Sequence, residues 1–231
     1  AHAPGLDVAP SRIAQVGDRH YLLVARYDRQ HSASGQRLRL HQEDFCQATG
    51  VPPETKYQNE GGPSMAESFA LLRRATRPSA PHILKLLDFV IFNALIGNHD
   101  AHGKNFSLLY TARGAVLAPL YDALCTAVYP RLTDKMAMKI GSKYRFTEVQ
   151  ASHWERFALE AGLSPAQTKK RILGMAKRLP ALAQAQGAAW QAQGQSHPIL
   201  GHIVALVELR CSLTTRRLTQ PGAAPGTVVG A

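Results

Sequence analysis

The chain has 231 residues, 45% hydrophobic and 19% charged, a composition that excludes wholesale disorder and leaves room for one large or two small domains with a buried core. Its 27 Lys and Arg outnumber 16 Asp and Glu, and the formal net charge of +11 points to an anionic partner. The longest apolar run, residues 83–96, is interrupted by Lys85, Asp88 and Asn93 and is shorter than the roughly 18–20 residues of a membrane span, so no membrane partner is expected.

Residues 19–28 read as a largely buried strand, because apolar and aromatic side chains dominate them. A polar loop follows, then a short helix over residues 43–48 that stops near Gly50, where Pro52 and Pro53 bar its continuation. Residues 60–64 form a turn. Ser64 and Glu67 make a capping box that opens a helix with Met65, Phe69 and Leu72 on one face. Residues 81–96 read as the buried central helix, apolar nearly all round, with Lys85 expected to run its stem along apolar surface towards solvent. The densest polar run of the chain, residues 97–105, follows directly. Residues 106–110 and 116–121 are two strands of a hairpin that turns through 111–114, and residues 135–140 are a further strand. Three helical stretches come next. One opens at a capping box of Thr147 and Gln150, one at Ser164 with Pro165 in first helical position, and one covers about 202–218. Residues 181–195, rich in Ala and Gln, fit either helix or a loose connection, and 221–231 read as a flexible tail. The sum is an α+β fold, mainly α.

The charge is unevenly placed. Residues 1–122 hold 13 basic and 11 acidic side chains, whereas residues 123–231 hold 14 and 5, with no acid between Glu160 and Glu208. There Lys169, Lys170, Arg171, Lys177 and Arg178 cluster, either as a solvated helix face or as a surface for phosphates or an acidic protein. Cys46, Cys125 and Cys211 are an odd, widely spaced set without metal-ligand spacing, which fits a reducing cytoplasm, and no secretory signal is visible.

Polar residues between a buried helix and a hairpin are costly unless solvated, paired or functional. Asp100 precedes Asn105 by five residues, the interval between the catalytic Asp and the metal-binding Asn of a kinase catalytic loop. If Tyr110 pairs with Ala115, the hairpin returns Asp122 to within a residue or two of Asn105, where the two could share a metal. An N-capping Asp with loop-capping amides is the structural alternative.

Residues 93–110 (NALIGNHDAHGKNFSLLY), 117–130 (LAPLYDALCTAVYP) and 136–146 (MAMKIGSKYRF) resemble the HipA-type serine/threonine kinases, toxins of bacterial toxin–antitoxin systems. The upstream runs 21–29 and 43–64 are similar in order and spacing, so the resemblance covers about residues 8–218. It implies a protein-kinase-like C-terminal lobe, with residues 1–28 as the hinge end of an N-lobe that is mostly missing and 29–220 as a largely helical C-lobe. It further implies ATP and Mg²⁺ as cofactors, Asp100 as catalytic base, Lys104 beside developing charge, His102 near the phosphates or metal, and Asn105 and Asp122 as metal ligands. Val24, Ala25, Arg26 and Tyr27 would be the hinge against adenine, with Asp28 near the ribose. The implied partners are a helix-turn-helix antitoxin (HipB-like), operator DNA through the basic C-terminal half, and a protein substrate such as an aminoacyl-tRNA synthetase, in the cytoplasm.

A kinase also needs a phosphate-covering loop and a lysine for the α/β-phosphates. Only Lys56 and Lys85 precede Asp100, both after the hinge, and no Gly-rich loop follows a strand. The chain alone is therefore expected to be a poor kinase or none, with the N-lobe supplied by a separate chain if it is active. Two rival readings remain: a pseudokinase or binding module that docks an antitoxin or DNA, and a two-metal phosphoesterase suggested by Asp18, His20 and the run Gly97-Asn98-His99-Asp100.

Overall fold

Short strands precede Phe45 and recur between Ser107 and Arg145, with helices between and after the two groups. The computed structural model describes residues 4–220, and the expected tail at 221–231 lies outside them. Two units are distinguished: one runs to Val90 and resumes over Ala101–Ala123, and the other joins Ile91–Asp100 to the chain from Leu124 onward.

In the first unit, β1 (Ser11–Val16) and β2 (Arg19–Val24) form an antiparallel hairpin that turns at Gly17, whose φ of +58° suits glycine. The expectation of a buried strand over residues 19–28 is corrected here. The strand ends at Val24 and is exposed along its whole length. Among the described residues its only strand partner is β1, and the apolar side chains of Val16 and Leu22 stand 68% and 63% exposed. A second hairpin pairs β3 (Arg29–His31) with β4 (Arg37–Arg39). Strand β5 (Gln42–Asp44) then leads into α1 (Phe45–Thr49) through a capping box. The Asp44 carboxylate accepts from the Gln47 amide at 2.9 Å, and the Gln47 side chain accepts from the Asp44 amide at 3.0 Å.

Helix α2 (Met65–Ala75) begins at the expected capping box, where the Ser64 amide donates to the Glu67 carboxylate at 2.7 Å. Helix α3 (Ala80–Ile96) buries Leu86, Leu87, Phe89, Ile91 and Leu95, as its all-round apolar character requires. Lys85 is half-buried, with Nζ 5.7 Å from the centre of the Phe89 ring; it pairs at the surface with the exposed Asp7 and donates to the Leu117 carbonyl at 2.7 Å. Strands β6 (Ser107–Thr111) and β7 (Gly114–Leu117) complete an antiparallel sheet in the order β5-β6-β7.

The second unit holds the hairpin of β8 (Lys135–Ile140) and β9 (Lys143–Arg145), then α4 (Ala151–Glu160), α5 (Pro165–Ala192) and α6 (Ile199–Thr219). Helix α4 starts later than the Thr147 capping box implied. Residues Phe146–Glu148 form a 3-10 turn, and Arg217 of α6 donates to the carbonyls of Phe146, Thr147 and Val149. The cap is supplied instead by His153, whose Nδ1 accepts from the Gln150 amide at 2.9 Å. Helix α5 opens at Ser164 and Pro165 as expected and continues through Pro180, so residues 181–192 are helix. Ile172, Met175 and Leu179 of α5 and Val207, Cys211 and Leu218 of α6 are buried, and Trp154 meets Phe157 edge-on at 5.7 Å within α4. The fold is α+β, mainly α.

Candidate active site

The β6–β7 ladder pairs Tyr110 with Ala115 and Leu108 with Leu117, the register the sequence implied. Past the last pair, the Ala118 amide still donates to the Ser107 carbonyl at 2.9 Å. The returning chain is held on its other side too. The Ala9 amide donates to the Leu120 carbonyl at 2.8 Å, and the Leu120 amide donates to the Asp7 carbonyl at 2.9 Å. These constraints deliver Asp122 to Asn105, whose Nδ2 donates to Asp122 Oδ2 at 2.8 Å. Asn105 is buried and Asp122 exposed. Asp122 has a φ of +55°, the one non-glycine residue with positive φ among the described residues. Asp tolerates this conformation because its short side chain bonds locally, and such outliers concentrate at functional sites.

The 3-10 turn over Gly103–Asn105 is fixed from three directions. The Tyr121 hydroxyl donates to the Lys104 carbonyl at 2.7 Å and accepts from Ser107 Oγ at 2.7 Å, tying the turn to the residue before Asp122. The Gly103 amide donates to the Lys56 carbonyl at 3.3 Å. A Cβ on Gly103 would lie 2.6 Å from Pro63 Cγ and 2.8 Å from Cys46 Sγ, so only glycine packs there. His102 is buried with its ring edge-on to Tyr57 at 5.2 Å, and Lys104 is half-buried.

A cleft of about 280 Å³ lies beside this turn, lined by Val24, Ala25, Arg26, Tyr27 and Asp28 together with Tyr121 and Gln42. Tyr27 and Tyr121 stack with ring centroids 5.9 Å apart. The cleft thus gathers all five expected hinge residues, next to the neighbour of Asp122. Gln42 contributes a buried side-chain oxygen with no donor among the described residues, an acceptor without a local sequence signal. Asp28 is almost fully buried, and its carboxylate is occupied. Arg26 donates to both oxygens at 2.8 and 2.6 Å, and Arg29 donates to Oδ2 at 2.6 Å. Hydrogen bonding to Arg26 above all holds its pKa down at about 2.

Asp100 belongs to the second unit, at the end of a tightly bonded segment. Gly97, with φ +78°, ends α3, and the Asn98 amide donates back to the Asn93 carbonyl at 2.9 Å. Asn98 Oδ1 accepts from the Asp100 amide at 3.1 Å, and the His99 amide donates to Thr126 Oγ1 at 2.8 Å. His99 is buried, with Nδ1 against the Thr133 carbonyl at 3.0 Å and Nε2 against Arg210 Nη2 at 2.7 Å. Both ring nitrogens are therefore engaged within the protein. Burial, ahead of every other influence, lowers the His99 pKa. Arg210 comes from a helix 111 positions away and carries no local sequence signal, which is why sequence reasoning missed it. Of the residues behind the phosphoesterase reading, Asp18 and His20 sit in the β1–β2 hairpin of the first unit.

The family model of the HipA-like C-terminal domain matches residues 1–183. The chain is 52% identical over 175 residues to Y4mE of Sinorhizobium fredii, a protein provisionally named a kinase, covering 76% of this chain and 42% of that protein. It is 30% identical over 188 residues to the serine/threonine-protein kinase toxin HipA of Shewanella oneidensis, covering 76% of this chain and 43% of the toxin. The chain thus spans less than half the length of these curated relatives. Among solved structures, HipA in the Shewanella oneidensis complex with HipB and operator DNA superposes with a TM-score of 0.83 at 25% identity, over 94% of this chain and 54% of that one. The Helicobacter pylori kinase CtkA shares the fold at 13% identity, with a TM-score of 0.53 over 94% of this chain and 82% of that one.

Proposed function

Because this chain belongs to the HipA-like C-terminal domain family, we propose that it is the C-terminal region of a protein serine/threonine kinase that moves the γ-phosphate of ATP to a Ser or Thr hydroxyl of a protein. The observation that carries this reading is the Asn105–Asp122 pair at 2.8 Å, joined by the hairpin and set beside a cleft lined by the hinge segment. Residues 1–28 are then the hinge end of the N-lobe and 29–220 the C-lobe.

Each residue has a distinct task. Asp100 accepts the proton of the attacking hydroxyl. Asn105 and Asp122 offer a neutral amide oxygen and a carboxylate, the hard oxygen donors that Mg²⁺ takes, and the ion would neutralise phosphate charge there. Lys104 adds a positive charge beside the same turn, and His102 flanks it. Val24, Ala25, Arg26 and Tyr27 border the adenine, whose amino group suits the open acceptor of Gln42. Asp28, with its carboxylate engaged by two guanidinium groups, holds the hinge segment in shape near the ribose.

The relatives support a toxin role with a HipB-like antitoxin and operator DNA as partners; a translation-linked protein such as an aminoacyl-tRNA synthetase is proposed in addition as substrate, and the cytoplasm as the place of action. Among the described residues no helix is long and apolar enough to cross a membrane. The exposed apolar hairpin of β1 and β2 is a surface that an N-terminal lobe would cover, in a longer chain or from a separate one. The second reading, a binding module without catalysis, is favoured by the exposed lysines Lys169, Lys170 and Lys177 of α5.

The test is Mg-ATP binding and radiolabelled phosphate transfer by the purified chain, alone and mixed with a polypeptide matching the N-terminal half of the relatives. Weak turnover alone, strong turnover in the mixture, and loss of turnover with Asp100→Ala are expected. Transfer that survives Asp100→Ala, or no Mg-ATP binding in either preparation, rejects the kinase reading.

A further inference from the structure

Arg210 is a buried cation, 8% exposed, in a position that the fold builds at some cost. Its guanidinium fork reaches three groups of its own unit. Nη1 donates to the Ala94 carbonyl in the last turn of α3 at 2.8 Å, and Nη2 meets His99 Nε2 at 2.7 Å. Its Cζ lies 4.2 Å from the centre of the Phe146 ring. The carbonyl at a helix C-terminus and the aromatic face both favour a cation, which is how the charge is tolerated in place of a carboxylate.

The bond to His99 fixes chemistry as well as position. A guanidinium only donates, so Nε2 must be the acceptor, and the ring proton sits on Nδ1, which donates to the Thr133 carbonyl. His99 is thereby a neutral imidazole in one tautomer, bracketed by Arg210 and Thr133. Its backbone is bracketed as well, with its amide on Thr126 Oγ1 and its carbonyl accepting from the Ala137 amide at 2.8 Å. The next residue is Asp100. Gly97 completes the arrangement, since a Cβ there would lie 2.8 Å from Ala127 Cβ and 2.9 Å from Leu206 Cδ2, closing the approach of α6 to the end of α3.

We infer that Arg210 is a positioning residue for Asp100: by bridging the Ala94 carbonyl and the His99 ring it locks the end of α3 and the residue before Asp100 into one arrangement. The inference rests on the role of Asp100 as base in the proposed kinase. Lysine cannot replace it, because a single ammonium lacks the planar fork that serves the carbonyl and the imidazole together.

The test uses the purified chain labelled with ¹⁵N in histidine and in the backbone, with the His99 signal identified by its loss in His99→Gln. In the wild type His99 shows the pattern of an Nδ1-protonated neutral ring. Arg210→Lys and Arg210→Gln are expected to lose that pattern and to shift the amide signals of His99 and Asp100, while signals of residues 103–122 stay in place. His99→Gln, which offers an oxygen to Arg210 and an amide proton to Thr133, keeps the Asp100 amide near its wild-type position, whereas His99→Leu displaces it. An unchanged His99 tautomer and Asp100 amide in the Arg210 variants overturns the inference, as does an equal displacement of Asp100 in both His99 variants. Should Arg210→Gln not fold, Arg210→Lys and the His99 pair decide. Failure of the kinase reading shows as no Mg-ATP binding with or without the N-terminal polypeptide, or as transfer that survives Asp100→Ala, and leaves these spectra untouched, so the two failures are told apart.

Discussion

Two guanidinium groups converge on Asp28, and the pair Arg26–Asp28 turns the chain from the end of β2 into the cleft. The Asp28 pKa, held at about 2 by hydrogen bonds to Arg26, lies below its ordinary value of 3.8. A depressed carboxylate stabilises the fold above its unfolded pKa, and that stabilisation disappears as pH falls through the folded one. The difference corresponds to about 2 kcal/mol. Asp28→Asn is therefore expected to lower the unfolding free energy at pH 7 by about 2 kcal/mol, because it leaves two guanidinium groups facing a neutral amide. Urea titrations of both proteins should show the gap closing as pH drops from 4 towards 2. A gap independent of pH would mean that packing, and not the ion pairs, holds Asp28.

Elements that rest on neighbouring residues were readable before the structure. The Ser64–Glu67 box, Pro165 after Ser164, the apolar α3 and the hairpin register all follow from residues within one or two turns of each other. That register brought Asn105 to Asp122 with no tertiary information beyond one assumed pair. The failures share a different cause. Whether β2 is buried depends on what lies over it, and the start of α4 depends on Arg217, about 70 positions away, taking the carbonyls of the preceding turn. Lys85 finds Asp7 across 78 positions and Arg210 finds Ala94 across 116, distances at which periodicity and capping say nothing. Two glycines express the same contrast between local and distant determinants. Gly174, exposed within α5 with open space beyond its own helical turn for an added Cβ among the described residues, is set by local propensity alone, so Gly174→Ala should stabilise by roughly 0.5–1 kcal/mol. Gly103 is set by Pro63 and Cys46, so Gly103→Ala should destabilise by about 1–3 kcal/mol and weaken Mg²⁺-dependent nucleotide binding as the turn under Asn105 shifts. Thermal and urea unfolding, with nucleotide titrations with and without Mg²⁺, check both.

At the scale of the whole molecule, the net charge of +11 is carried mainly after Asp122, away in sequence from every residue assigned to nucleotide or metal, so a nucleotide does not account for it. Lys169, Lys170, Lys177 and Arg178 are exposed on α5, and Gly174 between them leaves the backbone open. Eight residues of helix separate the two basic pairs by about 12 Å along the axis, a spacing that lets both pairs meet phosphates of one duplex. If operator DNA is a partner, this face supplies part of its affinity by releasing counterions, and the signature is salt dependence rather than sequence preference. Replacing the four side chains by Ala should weaken binding of the chain to duplex DNA at low salt and reduce the slope of log K against log salt by roughly 3–4. Asp100→Ala and Asp122→Ala should leave that slope unchanged, because their charges take no part in the release of counterions. Fluorescence anisotropy with a labelled duplex over a range of KCl concentrations measures it. A slope that survives the α5 substitutions moves the phosphate contacts elsewhere and leaves this face for an acidic protein, which the same fourfold variant would then fail to bind.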